Sequence, residues 1–360
     1  QAMSKIRILS LDGGGIRGII PATILSYLED ELKEKSGNPE AAIGDYFDFI
    51  TGTSTGGILS LMYLCPGENG EPRYSAKDAL DVYLKKGDKI FDVSLLKKIE
   101  SLNGIRDEKY PSKPLEKQLE DYFGKVSLSQ LLKPCLIPSY DIRNRKAFFF
   151  TSLEARETIY DFYLKDVARA ASAAPTYFEV SRIHSLHGAP YTLIDGGVFA
   201  NNPALCAYAE ARKINFQKIL NDPKKPQKPT AREMLIISIG TGSVKQPYFY
   251  DDFKNAGTLE WIRPLIDIMM SGNSETVDYQ LKRIYETLSP EDSRDYHRIQ
   301  PRLVNADSAM DNARKENLTA LHEDGLLSIA EHKPELDEIV NKLISNHNAD
   351  LSSHKNNMIT

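Results

Sequence analysis

Three clusters in this chain combine residue types and spacing that could do chemistry. The first is Gly52-Thr53-Ser54-Thr55-Gly56, followed by Gly57. A G-x-S-x-G pentad between a strand and a helix sets its serine on a sharp turn, and small neighbours let the backbone pass close to the hydroxyl. Such a serine becomes a nucleophile once a base removes its proton. The second cluster is Asp12-Gly13-Gly14-Gly15-Ile16-Arg17-Gly18, again between a strand and a helix. It contains G-x-G-x-x-G as Gly13, Gly15 and Gly18, and two chemistries use such a loop. Its backbone N–H groups can cradle a pyrophosphate at a helix N-terminus, or they can stabilise a tetrahedral oxyanion. A dinucleotide site also wants an acidic residue about 20 positions on, ending the second strand. Here that strand ends in Thr51-Gly52-Thr53-Ser54, and Glu29, Asp30, Glu31 and Glu34 fall inside the helix. The third cluster is Asp195-Gly196-Gly197, closing a short apolar run at 191–194. It places a carboxylate at a strand's C-terminal edge, where open α/β sheets build their sites. Asp-Gly is also a common turn pair, so a plain turn aspartate is the competing explanation.

A catalytic serine needs a base, and histidine is the usual one. The seven histidines are His184, His187, His297, His322, His332, His347 and His354. None sits in a glycine-marked turn. His184 and His187 fall in a turn-like segment at 181–190, His297 precedes an apparent strand at 298–303, and the others lie in polar C-terminal surroundings. Locally bonded or solvated histidines explain all seven.

The elements that must position these clusters alternate strand and helix. Strands are expected at 6–11, 47–51, 135–140, 147–150, 191–194 and 234–239, being short, apolar and bounded by turn residues. Helices are expected at 19–35, 57–64, 76–86, 114–123 and 164–171, and at 202–216 with Pro203 at its start. Repeated strand–turn–helix units predict an α/β fold with three α/β/α layers around a mostly parallel sheet. A helical C-terminal part begins at about 259. The Pro- and Lys-rich stretch 221–230 is a surface loop, with Lys224, Lys225 and Lys228 solvated, because one more strand of the same sheet follows it. Residues 3–347 are therefore expected to form a single domain, with a polar, disordered tail at 348–360.

The whole chain narrows the partners. It has 360 residues, 41% hydrophobic and 26% charged, enough for a sizeable core, and a net charge of -5 that points away from nucleic acid. Cys65, Cys135 and Cys206 are too few and too scattered for a disulfide framework or a Cys-x-x-Cys metal site, and buried thiols are expected. No leader is expected before the first strand, and no apolar run is long enough to span a bilayer. The chain is expected in the cytoplasm or at a membrane periphery, with non-classical secretion left open.

Taken in register, the motifs resemble the patatin-like phospholipase family. Beside the three clusters stand Ala171-Ser-Ala-Ala-Pro-Thr-Tyr-Phe178, the extension Asp195-Gly-Gly-Val-Phe-Ala-Asn-Asn-Pro203, and Ser238-Ile-Gly-Thr-Gly242. The match covers residues 6–242, with no departure at the matching positions. The resemblance implies a Ser–Asp dyad, with Ser54 as nucleophile and Asp195 as base. Gly13, Gly14 and Gly15 would offer oxyanion N–H groups and Arg17 would support their loop. Gly18, Gly52, Gly56, Gly196 and Gly197 would be the elbow and motif glycines. The implied activity is a serine acyl hydrolase of phospholipase A or lysophospholipase type, acting at a membrane or micelle surface without metal or cofactor. A neutral-lipid or galactolipid esterase is the alternative within the class, and a nucleotide-binding module the alternative outside it. An aromatic cluster at Tyr248, Phe249, Tyr250 and Phe253 could serve as an interfacial lid. Phe148-Phe149-Phe150 and the helix at 259–270 are expected to be packed.

Overall fold

The computed structural model describes residues 4–90, 112–157, 159–243 and 247–357. In chain order these include β1 (Ile6–Leu11), α1 (Ile19–Ser36), β2 (Phe49–Gly52), α2 (Thr55–Leu64), α3 (Ala76–Ile90) and α4 (Ser112–Phe123). Next come β3 (Cys135–Asp141), β4 (Lys146–Thr151), α5 (Leu164–Ala171), β5 (Ser181–His184), β6 (Pro190–Asp195) and α6 (Ala204–Ala211). The chain then forms β7 (Met234–Ile239), α7 (Thr258–Glu286), β8 (Tyr296–Ile299), α8 (Lys315–Glu331) and α9 (Lys333–Asn357).

The strands make one sheet in the order β5-β6-β3-β2-β1-β7-β8, with β4 on the other side of β3. From β3 to β8 along that order every pairing is parallel. β1 and β7 are buried on both faces, as central parallel strands are. Side chains alternate across a strand, so each strand feeds two cores. Leu9 and Leu11 join the core that also holds Ile24, Leu25, Leu59 and Val167 from α1, α2 and α5. Ile6 and Ile8 join a second core with Ala207 of α6 and Val277, Leu281 and Tyr285 of α7. Helix, sheet, helix is the three-layer arrangement expected from the alternation of motifs.

The way β6 enters the sheet decides where the site forms. β4 runs antiparallel along β3 from Leu136↔Thr151 to Asp141↔Lys146, occupying that whole edge. β2 pairs with β3 at Cys135 and Leu136, and β6 pairs with it at Ser139, Tyr140 and Asp141. Both must therefore share the opposite edge, one after the other. β6 runs antiparallel to β3, so its last residue, Asp195, arrives facing the end of β2.

Several local expectations change. The last strand spans 296–299 rather than 298–303, because it follows β7 in register and Pro301 cannot supply a ladder N–H. His297 is thus inside the strand. Residues 181–184 form a strand with alternating burial, not a turn. The helix expected at 202–216 breaks after Ala211, where the chain turns inward to bury Ile214 and Phe216. Asn215 then caps a short new turn through the Lys218 N–H. Lys225 is not solvated: it is buried against Asp48 and Asp350, whereas Lys228 is exposed. The expected disordered tail carries on as α9 through Asn357, and its Asp350 reaches Arg7 at 2.7 Å. Residues 358–360 of that tail, and the first three residues, lie outside the described residues. Cys65 and Cys135 are buried free thiols, whereas Cys206 is half-buried.

Candidate active site

Ser54 lies two residues beyond the end of β2 and caps α2. Its backbone sits at φ 55° and ψ -120°, a region that an L-residue occupies only at a cost of about 1–3 kcal/mol. The neighbouring glycines make this turn possible. A Cβ on Gly52 would stand 2.0 Å from the Gly56 carbonyl oxygen, and one on Gly56 would stand 2.4 Å from that of Leu11. The turn is closed by N–H bonds from Gly57 and Ile58 to the Ser54 carbonyl, at 2.9 and 3.1 Å. Ser54 is 7% exposed and lines the same pocket as Asp195, whose carboxyl its hydroxyl pulls down.

Asp195 is 4% exposed. Burial pushes its carboxyl up to about 6, against the opposing pull of the hydrogen bonds from Ser54 and from the Gly197 N–H. The Gly197 bond measures 2.7 Å. Gly196 follows where a Cβ would strike the Pro138 carbonyl at 2.4 Å, so this turn lies directly against β3. Among the described residues no histidine lines the pocket that contains Ser54 and Asp195. His297 is buried between Glu335 and Lys342, His322 meets Thr23, and His332 meets Ser328.

The glycine loop departs from expectation at one position. The Gly13 N–H donates to the Asn201 carbonyl at 3.0 Å, so it is not free to meet an oxyanion. The N–H groups of Gly14 and Gly15 have no acceptor among the described residues, and both glycines line the Ser54 pocket. Gly15 stands at φ +59°, with the Met310 carbonyl packed where a Cβ would be. Thr55 adds a third unpaired N–H in the first turn of α2, where a helix leaves its donors open. Arg17 points back into the loop, with Nε 3.4 Å from the Gly14 carbonyl and Nη1 3.4 Å from that of Gly242. Gly18 lets the loop's exit abut Thr55.

The residues missed from sequence are those holding the loop from outside. Asp12 forms a two-pronged ion pair with Arg298, at 2.7 and 2.6 Å. The Thr241 hydroxyl donates to the Gly13 carbonyl at 2.8 Å, and Asn201 binds Ser274. Asn201 and Thr241 lay within the quoted motifs without a role. Arg298 carried only the signal of a cation within an apparent strand.

The pocket around Ser54 is walled by Ile58, Met62, Leu115, Leu119, Phe123, Phe178, Ile266, Met269 and Met270, and among the described residues its lining includes no Lys or Arg. Such a wall suits an acyl chain better than a pyrophosphate. Phe150 packs in the core, as expected, and none of Phe148, Phe149 or Phe150 lines the pocket. The first half of α7 is not packed, contrary to expectation. Trp261, Leu265, Ile268 and Met269 are exposed, beside Tyr248, Phe249 and Tyr250. Tyr248 and Phe253 stack at 5.2 Å, and Phe253 and Trp261 at 4.9 Å, which fastens the aromatic segment to this helix.

Comparison with known proteins identifies the family. The family model for patatin-like phospholipase matches residues 9–208. "Patatin-like protein 2" of Arabidopsis thaliana is 36% identical over 98% of this chain and 86% of its own length. "Patatin-T5" of Solanum tuberosum is 33% identical over 88% of this chain and 81% of its own. At the same 33% identity stands "Probable inactive patatin-3-Kuras 1" of the same species, so the state of the site matters as much as the kinship. The chain belongs to the patatin-like phospholipase family and is, with it, a lipid acyl hydrolase.

Proposed function

We propose that Ser54 and Asp195 form a catalytic dyad that cleaves fatty-acyl esters of membrane lipids, as a phospholipase A or lysophospholipase. The observation that carries this is the Ser54 hydroxyl and the buried Asp195 carboxylate brought together in one apolar pocket. Asp195 takes the Ser54 proton as Oγ attacks the ester carbonyl. The carbonyl oxygen becomes an oxyanion, met by the N–H groups of Gly14, Gly15 and Thr55. Asp195 then returns the proton to the departing alcohol, leaving an acyl-enzyme. Water, deprotonated by the same carboxylate, attacks the acyl carbon; the acyl–Oγ bond breaks, Asp195 returns the proton to Ser54 Oγ, and the fatty acid leaves. An ordinary aspartate, near pKa 3.9, is a weak base for a hydroxyl. Burial makes Asp195 a stronger one, by lifting it to about 6. The domain that runs from β1 through α9 carries this site, and Arg17 steadies the glycine loop.

Substrate reaches the pocket from a lipid surface. The exposed apolar face of α7, with Tyr248, Phe249 and Tyr250, adjoins Ile266, Met269 and Met270 at the pocket, and we assign it to peripheral docking. Among the described residues no helix is long and apolar enough to cross a membrane.

The deciding experiment measures fatty-acid release from phospholipids, lysophospholipids, galactolipids and glycerides by wild type, Ser54→Ala and Asp195→Asn. Wild type should release acyl chains from phospholipids, and both variants should be folded and nearly inert. Undiminished release by Ser54→Ala would remove the nucleophile assignment. Release confined to galactolipids or glycerides would favour the esterase alternative.

A further inference from the structure

Three consecutive glycines are the most pliable stretch a backbone can have. Oxyanion donors have to be held in place before the reaction, and a displacement of about 1 Å can lose a hundredfold in rate. The rigidity of Gly13-Gly14-Gly15 must therefore come from elsewhere in the molecule. Its strongest tether is Asp12, the residue just before it. Both carboxylate oxygens of Asp12 are held by the Arg298 guanidinium, and the two side chains are 3% and 6% exposed. Arg298 is itself fixed by Ser238 at 2.9 Å and sits on β8, whose register against β7 places it opposite that serine. Two further tethers flank the loop, from the Thr241 hydroxyl to the Gly13 carbonyl and from the Ile16 N–H to the Met310 carbonyl, each at 2.8 Å. These three tethers come from beyond residue 208, where the family match ends, and add to the Gly13 N–H bond to the Asn201 carbonyl within it.

We propose that Arg298 is a positioning residue for the acyl-transfer reaction, gripping Asp12 so that the Gly14 and Gly15 N–H groups face the developing oxyanion. This rests on the dyad assignment above. A buried ion pair adds little net stability compared with apolar packing, so its use here is to fix geometry. Lysine could supply the charge but not the two-pronged grip.

The test separates ground-state binding from oxyanion binding. An alkyl trifluoromethyl ketone adds Ser54 Oγ to its carbonyl carbon. The serine proton passes to Asp195 and the carbonyl electrons become an oxyanion, which needs the loop. A matching alkyl ether lipid fills the pocket without forming one. Arg298→Gln should lower kcat on a soluble short-chain ester by about a hundredfold, with KM within about twofold. It should weaken the ketone by a similar factor and leave ether-lipid binding unchanged. Arg298→Lys keeps a cation against the buried Asp12, so it carries the comparison if Arg298→Gln does not fold, and it should fall between the two. Folded variants with wild-type kcat and ketone affinity would overturn the inference, as would equal losses of ketone and ether lipid. A wild-type enzyme that forms no Ser54-dependent ketone adduct would instead bring down the dyad assignment, and this inference with it.

Discussion

As the proposed base, Asp195 has to be charged to accept a proton, and its burial opposes that charge. Its carboxyl lies at about 6 rather than 3.8, so the base is lost as pH falls below about 6. The kcat/KM profile should show an acid limb near pH 6 and a plateau above it. A limb near 4 would mean that a different group titrates. The same shift bears on stability. Between pH 3.8 and about 6 the folded state binds more protons at this position than the unfolded state, so stability declines as pH rises through that window and then levels off. Above it the charged Asp195 costs up to about 3 kcal/mol. Asp195→Asn should therefore melt no lower than wild type at pH 8, and up to about 3 kcal/mol more stable, while losing activity. A clear fall in its melting temperature would show that the carboxylate also supports the fold. Ser54 and Asp195 could be found from sequence because each sits in a glycine-marked turn after a strand, a local pattern. Arg298 could not, because its meaning depends on Asp12, 286 positions away. Nor could the engagement of the Gly13 N–H, which depends on the Asn201 carbonyl.

At the scale of elements, α7 divides in two. Its second half buries Val277, Leu281 and Tyr285, and its first half leaves Trp261, Leu265 and Ile268 in the open. Hydrophobicity along the sequence showed that these residues avoid water. It could not tell a protein core from a lipid surface, which is why the first half was expected to be packed. The exposed face carries Asp251, Asp252, Glu260 and Asp267 around it, and Lys254 is paired with Asp251. Docking should thus depend on apolar insertion rather than on anionic lipid. Phe249→Ser combined with Leu265→Ser should weaken binding to neutral phosphatidylcholine vesicles at least about tenfold. Turnover of a soluble short-chain ester should stay at the wild-type level. Equal loss on both substrates would place these residues in the fold rather than at the surface contact. The strands 6–11 and 234–239 matched the expected ranges because buried parallel strands are continuous apolar runs. β5 was missed because its four residues alternate and pair with a neighbour that local sequence does not reveal.

Across the whole molecule, the two ends of the chain meet. Arg7 of β1 holds Asp48 at 2.9 Å and Asp350 of α9 at 2.7 Å, and Lys225 joins both carboxylates. The two cations hold the Asp48 carboxyl far below the usual carboxylate range. Asp350→Asn would leave two buried cations facing one carboxylate and should cost about 3 kcal/mol, read as a lower denaturation midpoint. An unchanged midpoint would return the last helix to the status of a loose tail. Polar composition suggested such a tail, and only the long-range partners of Asp350 show otherwise. The seam in the sheet has a consequence for how such an enzyme can vary. β2 delivers the proposed nucleophile and β6 the proposed base, but both are laid end to end along β3, which serves as the measuring rod between them. Each residue of that rod is about 3.3 Å long and turns the next side chain to the other face. Loops and the α7 surface can lengthen or shorten freely, whereas one residue added to β3 between Leu136 and Ser139 would uncouple acid from alcohol while leaving every motif intact.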